Sequence, residues 1–211
     1  TQKDYLDYHI EKILKDVLVD VDAIKAKKFK VVVDAVNSVG GIAVPKLLKA
    51  LGVHEVVELY CEPNGKFAHN PEPLPENLSM LCSEVKQQKA DIGIAVDPDV
   101  DRLALIDEKG VPFGEEYTLV AVADYVLKFR KGNTVSNLSS TKALKDITLI
   151  HGGEYSASAV GEVNVVEMMK STNAVIGGEG NGGIIYPALH YCRDALMGIA
   201  LFLTHLETST K

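Results

Sequence analysis

The sequence has no tryptophan, only three cysteines and, by count, three arginines among its 211 residues, and only 6% of it is aromatic. Each scarcity excludes something. Cys61, Cys82 and Cys192 are odd in number, widely spaced and in no CxxC arrangement, which excludes a disulfide framework and suits reduced thiols, buried or neutral, in a cytoplasmic protein. The longest mostly apolar run, Ala195–Leu203, is far shorter than the roughly 20 residues of a membrane span, so no membrane partner is expected. Residues 1–7 are polar and lead directly into a periodic helical pattern, with no secretory signal in view. Acidic residues outnumber basic ones, for a formal charge of −7, and no Lys or Arg block exists. Nucleic acid is therefore excluded as a partner on charge.

What is present is ordinary globular composition, 46% hydrophobic and 24% charged, enough for one large or two small domains. Leu6, Ile10, Ile13, Leu14, Val17, Leu18, Val21 and Ile24 recur at helical spacing and predict one amphipathic helix over 6–24. A β-branched run, 29–35, then leads through the turn at 37–41 to a helix over 42–51 that tolerates Pro45 in its first turn. A strand over 54–61, a Pro- and Asn-rich loop over 62–75, a helix over 76–89 and strands over 91–96 and 102–106 complete a β-α-β-α-β-β unit. After a turn at 108–110 the alternation restarts. Helices over 115–129, 141–150, 162–170 and 195–208 interleave with strands over 134–138, 154–157, 174–176 and 184–186. The expected fold is α/β, two consecutive α/β/α domains with mostly parallel mixed sheets, 1–110 and 111–211.

Two loops carry the chemistry. In Asp97-Pro98-Asp99-Val100-Asp101-Arg102, three carboxylates at i, i+2 and i+4 lie between apolar strands. Like charges this close repel unless a cation neutralises them, and an all-oxygen set suits Mg²⁺. Arg102, one of the few arginines, can fork two hydrogen bonds to a phosphate or carboxylate. An EF-hand reading fails, because Arg102 stands where that loop needs glycine and the flanks are strands. The second loop, Gly177–Gly183, contains Gly178, Gly180 and Gly183 at dinucleotide-fingerprint spacing, but strand residues follow where a helix must begin. A hairpin-like loop fits better, its glycines letting backbone approach a ligand and Glu179 and Asn181 projecting towards vicinal sugar hydroxyls. Residues 37–41 could make a phosphate-cradling nest but read better as a plain strand-to-helix turn. Asp194 suits the N-cap of the last helix, while Arg193 could face a ligand anion. The six histidines are scattered, with no HxxxH pair, and predict neither a triad nor a zinc site.

With both loops in view, the chain resembles the α-D-phosphohexomutases, the superfamily of phosphoglucomutase, phosphomannomutase and phosphoglucosamine mutase. Val96–Ile106 looks like that family's metal loop and Gly177–Pro187 like its sugar loop, in the family's order; Asp34–Gly41, Pro71–Leu78 and Val160–Val165 support the match. The resemblance implies the second and third of four domains. Domains one and four, which would supply a Ser-His-Asn-Pro phosphoserine and an Arg-x-Ser-Gly-Thr phosphate clamp, have no counterpart motif here. Ala68-His69-Asn70-Pro71 follows the Asp34–Gly41 segment and belongs to domain two. The implied activity is reversible Mg²⁺-dependent transfer of phosphate between O1 and O6 of a hexose phosphate, an isomerase reaction. In it Asp97, Asp99 and Asp101 would hold the metal and Arg102 would act as the catalytic residue on phosphoryl oxygens. Glu179 and Asn181, with Gly178 and Gly180, would bind the sugar. Alone the segment is expected to be inactive; the alternative is a stand-alone sugar-phosphate-binding module. The chain departs from many relatives at Asn181-Gly182-Gly183, where Ser-Gly-His is common, at Ser158–Gly161, and at Cys192.

Overall fold

The computed structural model describes residues 4–209. Two four-stranded sheets are built to the same plan. In the first, β1 (Lys30–Asp34) lies between β2 (Glu55–Leu59) and β3 (Ile92–Val96), all parallel, and β4 (Leu103–Ile106) returns antiparallel on the far side of β3. In the second, β5 (Asn133–Asn137) lies between β6 (Tyr155–Ser158) and β7 (Ala174–Gly178), and β8 (Ile184–Ile185) returns antiparallel on β7. The antiparallel return places both candidate loops, β3–β4 and β7–β8, at the carboxyl ends of the parallel strands, where open α/β sheets hold ligands.

The helices are α1 (Tyr5–Leu14), α2 (Val21–Lys27), α3 (Gly40–Ala50), α4 (Ser79–Gln88), α5 (Glu115–Phe129), α6 (Ala143–Ile150), α7 (Glu162–Thr172) and α8 (Ala195–Ser209). Strand alternation divides the core. Val31 and Val33 of β1 point into one large cluster, whereas Val32 points to the opposite face, against Leu81 and Val85 of α4. The large cluster also takes Ile10 and Ile13 of α1, Leu119, Val122 and Val126 of α5 and nearly every residue from Ala195 to Leu203. Helix α8 is therefore apolar on all sides over Ala195–Leu203 because it is packed between the two domains. A third cluster, Val135, Val165, Met169, Ala174 and Ile185, seals α7 on the second sheet. No helix among the described residues is long and apolar enough to cross a membrane.

The principal correction to the expected elements is at the start. The single helix over 6–24 is two helices, broken between Leu14 and Val21. Asp16 accepts from Leu18 N–H at 2.9 Å, and Asp20 caps α2 by accepting from Ala23 N–H at 2.9 Å. The Leu18 carbonyl is taken by the Tyr125 hydroxyl at 2.8 Å. Local Asp side chains and a distant tyrosine outcompete the helix for its own backbone groups, so the 3.6-residue periodicity survives while the helix does not. A smaller difference lies at 76–89, where a 3₁₀ turn, Pro75–Asn77, precedes α4.

The turn at 37–41 holds no anion nest. Asn37 N–H donates to Tyr60 O at 2.6 Å and Ser38 N–H to Ala35 O at 2.8 Å, so these amides are consumed within the protein. His69 Nε2 lies 3.0 Å from the buried Asp34 carboxylate, which ties the Ala68–Pro71 segment into the first domain. Of the cysteines, all three free, Cys61 and Cys82 are half-buried and Cys192 is exposed.

Candidate functional site at the junction of the two loops

The first loop leaves β3 with Asp97 buried at the strand end. Its Oδ1 accepts from both Asp101 N–H and Arg102 N–H at 3.0 Å, which curls the loop so that the side chains of Asp97, Asp99 and Asp101 converge. Val100 at the crest has φ +62°, a left-handed conformation that a β-branched residue adopts only under constraint. Carboxylate oxygens of all three aspartates lie within 4.8 Å of one another. Burial, together with repulsion from Asp101 and Asp99, pushes the Asp97 carboxyl up to about 7, and burial also raises Asp101 against the pull of Arg193. Asp101 Oδ1 is buried without a hydrogen-bond partner. An all-oxygen cluster with an unpartnered buried oxygen is a chemically suitable donor set for a hard divalent cation.

Arg102 turns away from the loop to an ion pair with Glu72, while its Nε stands 3.7 Å from Asp97 and 4.0 Å from Asp101. Glu72 is itself fixed by its backbone: its N–H donates to Asn70 Oδ1 at 3.1 Å, and its carbonyl accepts from Asn77 Nδ2 at 2.8 Å. This contact was not evident from the Pro71–Leu78 segment, because the two residues are remote along the chain.

The second loop is the tip of the β7–β8 hairpin, closed by Glu179 N–H donating to Gly183 O at 2.9 Å. A Cβ on Gly178 would meet Gly183 O at 2.0 Å, so glycine is required there for close strand approach. Glu179 does not project as expected; it is buried. Its Oε1 accepts from Asn137 Nδ2 at 2.8 Å and Gly161 N–H at 3.3 Å, and its Oε2 accepts from Arg193 Nη1 at 2.7 Å. Asn137 at the end of β5 and Gly161 at the N-cap of α7 supply two of these donors, and Arg193 the third. Oε2 still has acceptor capacity for a ligand hydroxyl. Asn181 stays half-exposed, its Oδ1 accepting from Gly183 N–H at 3.2 Å, which leaves its amide nitrogen pointing away from the turn bond. Gly180 is half-exposed beside Ser140 and Glu116.

The two loops meet. Leu103 N–H donates to Gly182 O at 3.1 Å, and Ala195 N–H donates to Val100 O at 3.1 Å. Between them lies Arg193, whose guanidinium pairs with Asp101 of the first loop, with Glu179 of the second at 2.7 Å, and with Glu162 at the start of α7 at 3.5 Å. Arg193 thus faces three carboxylates, where sequence reasoning left it free for a ligand anion. A Cβ on Gly183 would meet Arg193 Cδ at 2.4 Å, so this arginine fills the space a larger residue at 183 would need. The N-cap expected of Asp194 is present, with Met197 N–H donating to its Oδ1 at 3.0 Å.

Residues 5–110 match phosphoglucomutase/phosphomannomutase alpha/beta/alpha domain II, and residues 114–211 match domain III. The chain belongs to the phosphoglucomutase/phosphomannomutase family. It is 38% identical over 212 residues to "Phosphoglucomutase/phosphomannomutase" of Thermococcus kodakarensis, covering 100% of this chain and 46% of that protein. Against "Probable phosphoglucosamine mutase" of Methanopyrus kandleri the identity is 34% over 203 residues, covering 95% of this chain and 44% of the relative. The crystal structure of a phosphoglucomutase/phosphomannomutase family protein from Burkholderia thailandensis superposes with a TM-score of 0.87 at 31% identity, over 99% of this chain and 45% of that one. The chain spans about half the length of the relatives it matches.

Proposed function

We propose that this chain is the metal- and sugar-binding portion of a phosphohexomutase, which as a longer polypeptide moves phosphate reversibly between O1 and O6 of a hexose phosphate, and that these 211 residues do not turn over alone. The observation that carries the reading is the meeting of the two loops: an aspartate of the acidic cluster and the buried glutamate of the hairpin share one guanidinium, Arg193. This shared arginine supports reading the two loops as parts of one site.

Asp97, Asp99 and Asp101 would hold Mg²⁺. When bound, the cation supplies charge neutralisation for the transferring phosphoryl group. Arg102, the catalytic residue of this portion, directs its fork at phosphoryl oxygens and is oriented by Glu72 when none is present. Glu179 accepts from a sugar hydroxyl through its remaining lone pair, and Asn181 donates to a neighbouring one. A reader of ring hydroxyls serves both poses of a sugar that presents O1 and then O6, because it does not depend on the end being phosphorylated. The nucleophilic phosphoserine and the phosphate clamp would come from domains one and four of the same polypeptide, the partners of this portion alongside the substrate.

The test compares the longer polypeptide with the 211-residue chain, using glucose, mannose and glucosamine phosphates with Mg²⁺ and a catalytic amount of hexose bisphosphate. Turnover only in the longer polypeptide, falling about 100-fold or more in Asp99→Ala or Glu179→Gln, is the expected result. Turnover by the 211 residues alone would overturn the claim of inactivity. Failure of the longer polypeptide on every hexose phosphate, with sugar-phosphate binding retained, would overturn the mutase reading in favour of a binding module.

A further inference from the structure

A second ligand set adjoins the loop junction, its aspartate lying between Arg193 and Ala195, which both contact the first loop. His9 of α1, and His190 and Asp194 just ahead of α8, bring their ligand atoms within 4.8 Å of one another. His9 Nε2 is 2.8 Å and His190 Nε2 is 3.0 Å from the same oxygen, Asp194 Oδ2. Asp194 is buried and is held by Met197 N–H on its other oxygen. The two imidazoles are half-exposed, their ring centroids 5.6 Å apart. We propose that His9, His190 and Asp194 form a binding site for a borderline-soft divalent metal ion such as Zn²⁺ or Co²⁺, joining α1 of the first domain to the N-terminus of α8 in the second.

The donor chemistry differs from that of the acidic loop. Two imidazoles and one carboxylate favour zinc and its neighbours, whereas three carboxylates favour Mg²⁺. Ligands about 2.05 Å from a common ion stand roughly 2.9 to 3.4 Å apart for angles between about 90° and 110°, and the two nitrogen-to-oxygen separations are already close to that range. The buried Asp194, fixed by a backbone N–H, is an oriented ligand. As the side chains stand, Cys192 N–H donates to His190 Nδ1 at 3.1 Å, which puts the His190 proton on Nε2. Binding through Nε2 moves that proton to Nδ1 and gives up one exposed turn bond, a small loss against a metal–imidazole bond. His9 and His190 also line a cleft of about 580 Å³ with Tyr8, Lys12, Lys15 and Asp16, so the ion's remaining positions face open space. The lysines there suit an anionic co-ligand such as a carboxylate or phosphate.

The measurement is titration of the 211-residue chain with Co²⁺ in millimolar Mg²⁺, followed by visible ligand-field absorption and by the thermal midpoint, then competition with Zn²⁺. One Co²⁺ per chain is expected, with nitrogen-ligand absorption and a raised midpoint. Affinity falls at least tenfold in His9→Gln and in His190→Gln and stays at the wild-type value in Cys192→Ser and His69→Gln. Circular dichroism establishes that each variant is folded, and Asp99→Asn, which disables the acidic loop, is expected to keep the Co²⁺ response. Absorption of the aquo ion only, wild-type affinity in either histidine variant, or loss of the response in Asp99→Asn would each overturn the proposal. None of these readouts depends on mutase activity.

Discussion

Leu103 and Gly182 are joined backbone to backbone: the amide that opens β4 donates to the carbonyl at the crest of the β7–β8 hairpin at 3.1 Å. Gly182 has φ +89°, and a Cβ there would stand 2.4 Å from Leu103 O. Both the conformation and the contact require glycine, and this contact lies where the two domains bring their loops together.

Gly182→Ala is therefore expected to cost about 2 kcal/mol, from left-handed strain plus displacement of the Leu103 carbonyl. Urea denaturation monitored by circular dichroism measures it. A midpoint equal to wild type would show that the hairpin crest is not held as described.

Arg193 is mostly buried among Asp101, Glu179 and Glu162. Arg193→Met leaves the buried Glu179 and the half-buried Asp101 without their cation, at a cost of about 3 kcal/mol. Combining it with Glu179→Gln is expected to recover about 1 kcal/mol, since the double variant removes one of the stranded charges. Strict additivity in the double-mutant cycle would remove the coupling.

The acidic loop gives a prediction of the opposite sign. Asp99→Asn relieves repulsion on Asp97 and Asp101, so in the presence of a chelator the thermal midpoint should rise by roughly 1–2 °C. Millimolar Mg²⁺ should stabilise the parent chain more than the variant. Calorimetry with and without Mg²⁺ decides this, and an equal Mg²⁺ response in both chains would count against the loop as the cation site.

Thiol reactivity should separate the cysteines. Cys192 is exposed, burial raises the Cys82 thiol, and burial pushes Cys61 up to about 12. At pH 8 Cys61 is therefore held in the thiol form, which is the unreactive one. With a chromogenic disulfide reagent, one equivalent should react fast, a second slowly and the third only after unfolding. Rapid release of all three would contradict the burial of Cys61.

Asp124 on α5 offers a pH test clear of both candidate sites. Burial opposes its ionisation, but hydrogen bonds from His151 and Lys128 outweigh it and hold the carboxyl below its ordinary range. A carboxylate with a depressed folded-state pKa stabilises the fold above its unfolded value near 3.9, and the contribution is lost as pH falls through the folded value. Asp124→Asn should cost about 1 kcal/mol at pH 7 and progressively less below pH 4. A cost independent of pH would assign the effect to packing.

Much of the architecture was legible because periodicity is a local property. Helix α5 has the bounds its pattern predicts, and β1 and β3 lie within theirs. The convergence of the acidic loop was equally legible, since three carboxylates at alternate positions in a tight loop between apolar strands are brought together by local geometry. The break after α1 was not legible, because Tyr125, far along the chain, takes the Leu18 carbonyl. Glu179 was read as projecting because nothing near it in sequence shows the donors, Asn137, Gly161 and Arg193, that close over it.

The sequence by itself determined the two α/β units, the aspartate cluster and the hairpin glycines, all features set by spacing over a few residues. Only the tertiary structure decided which of these face one another. It placed Arg193 between Asp101 and Glu179, turned Arg102 to Glu72, and brought His9 to His190 and Asp194. Such pairings depend on how two sheets pack about the shared helix α8, and ion pairs between distant residues leave no periodic trace in the chain.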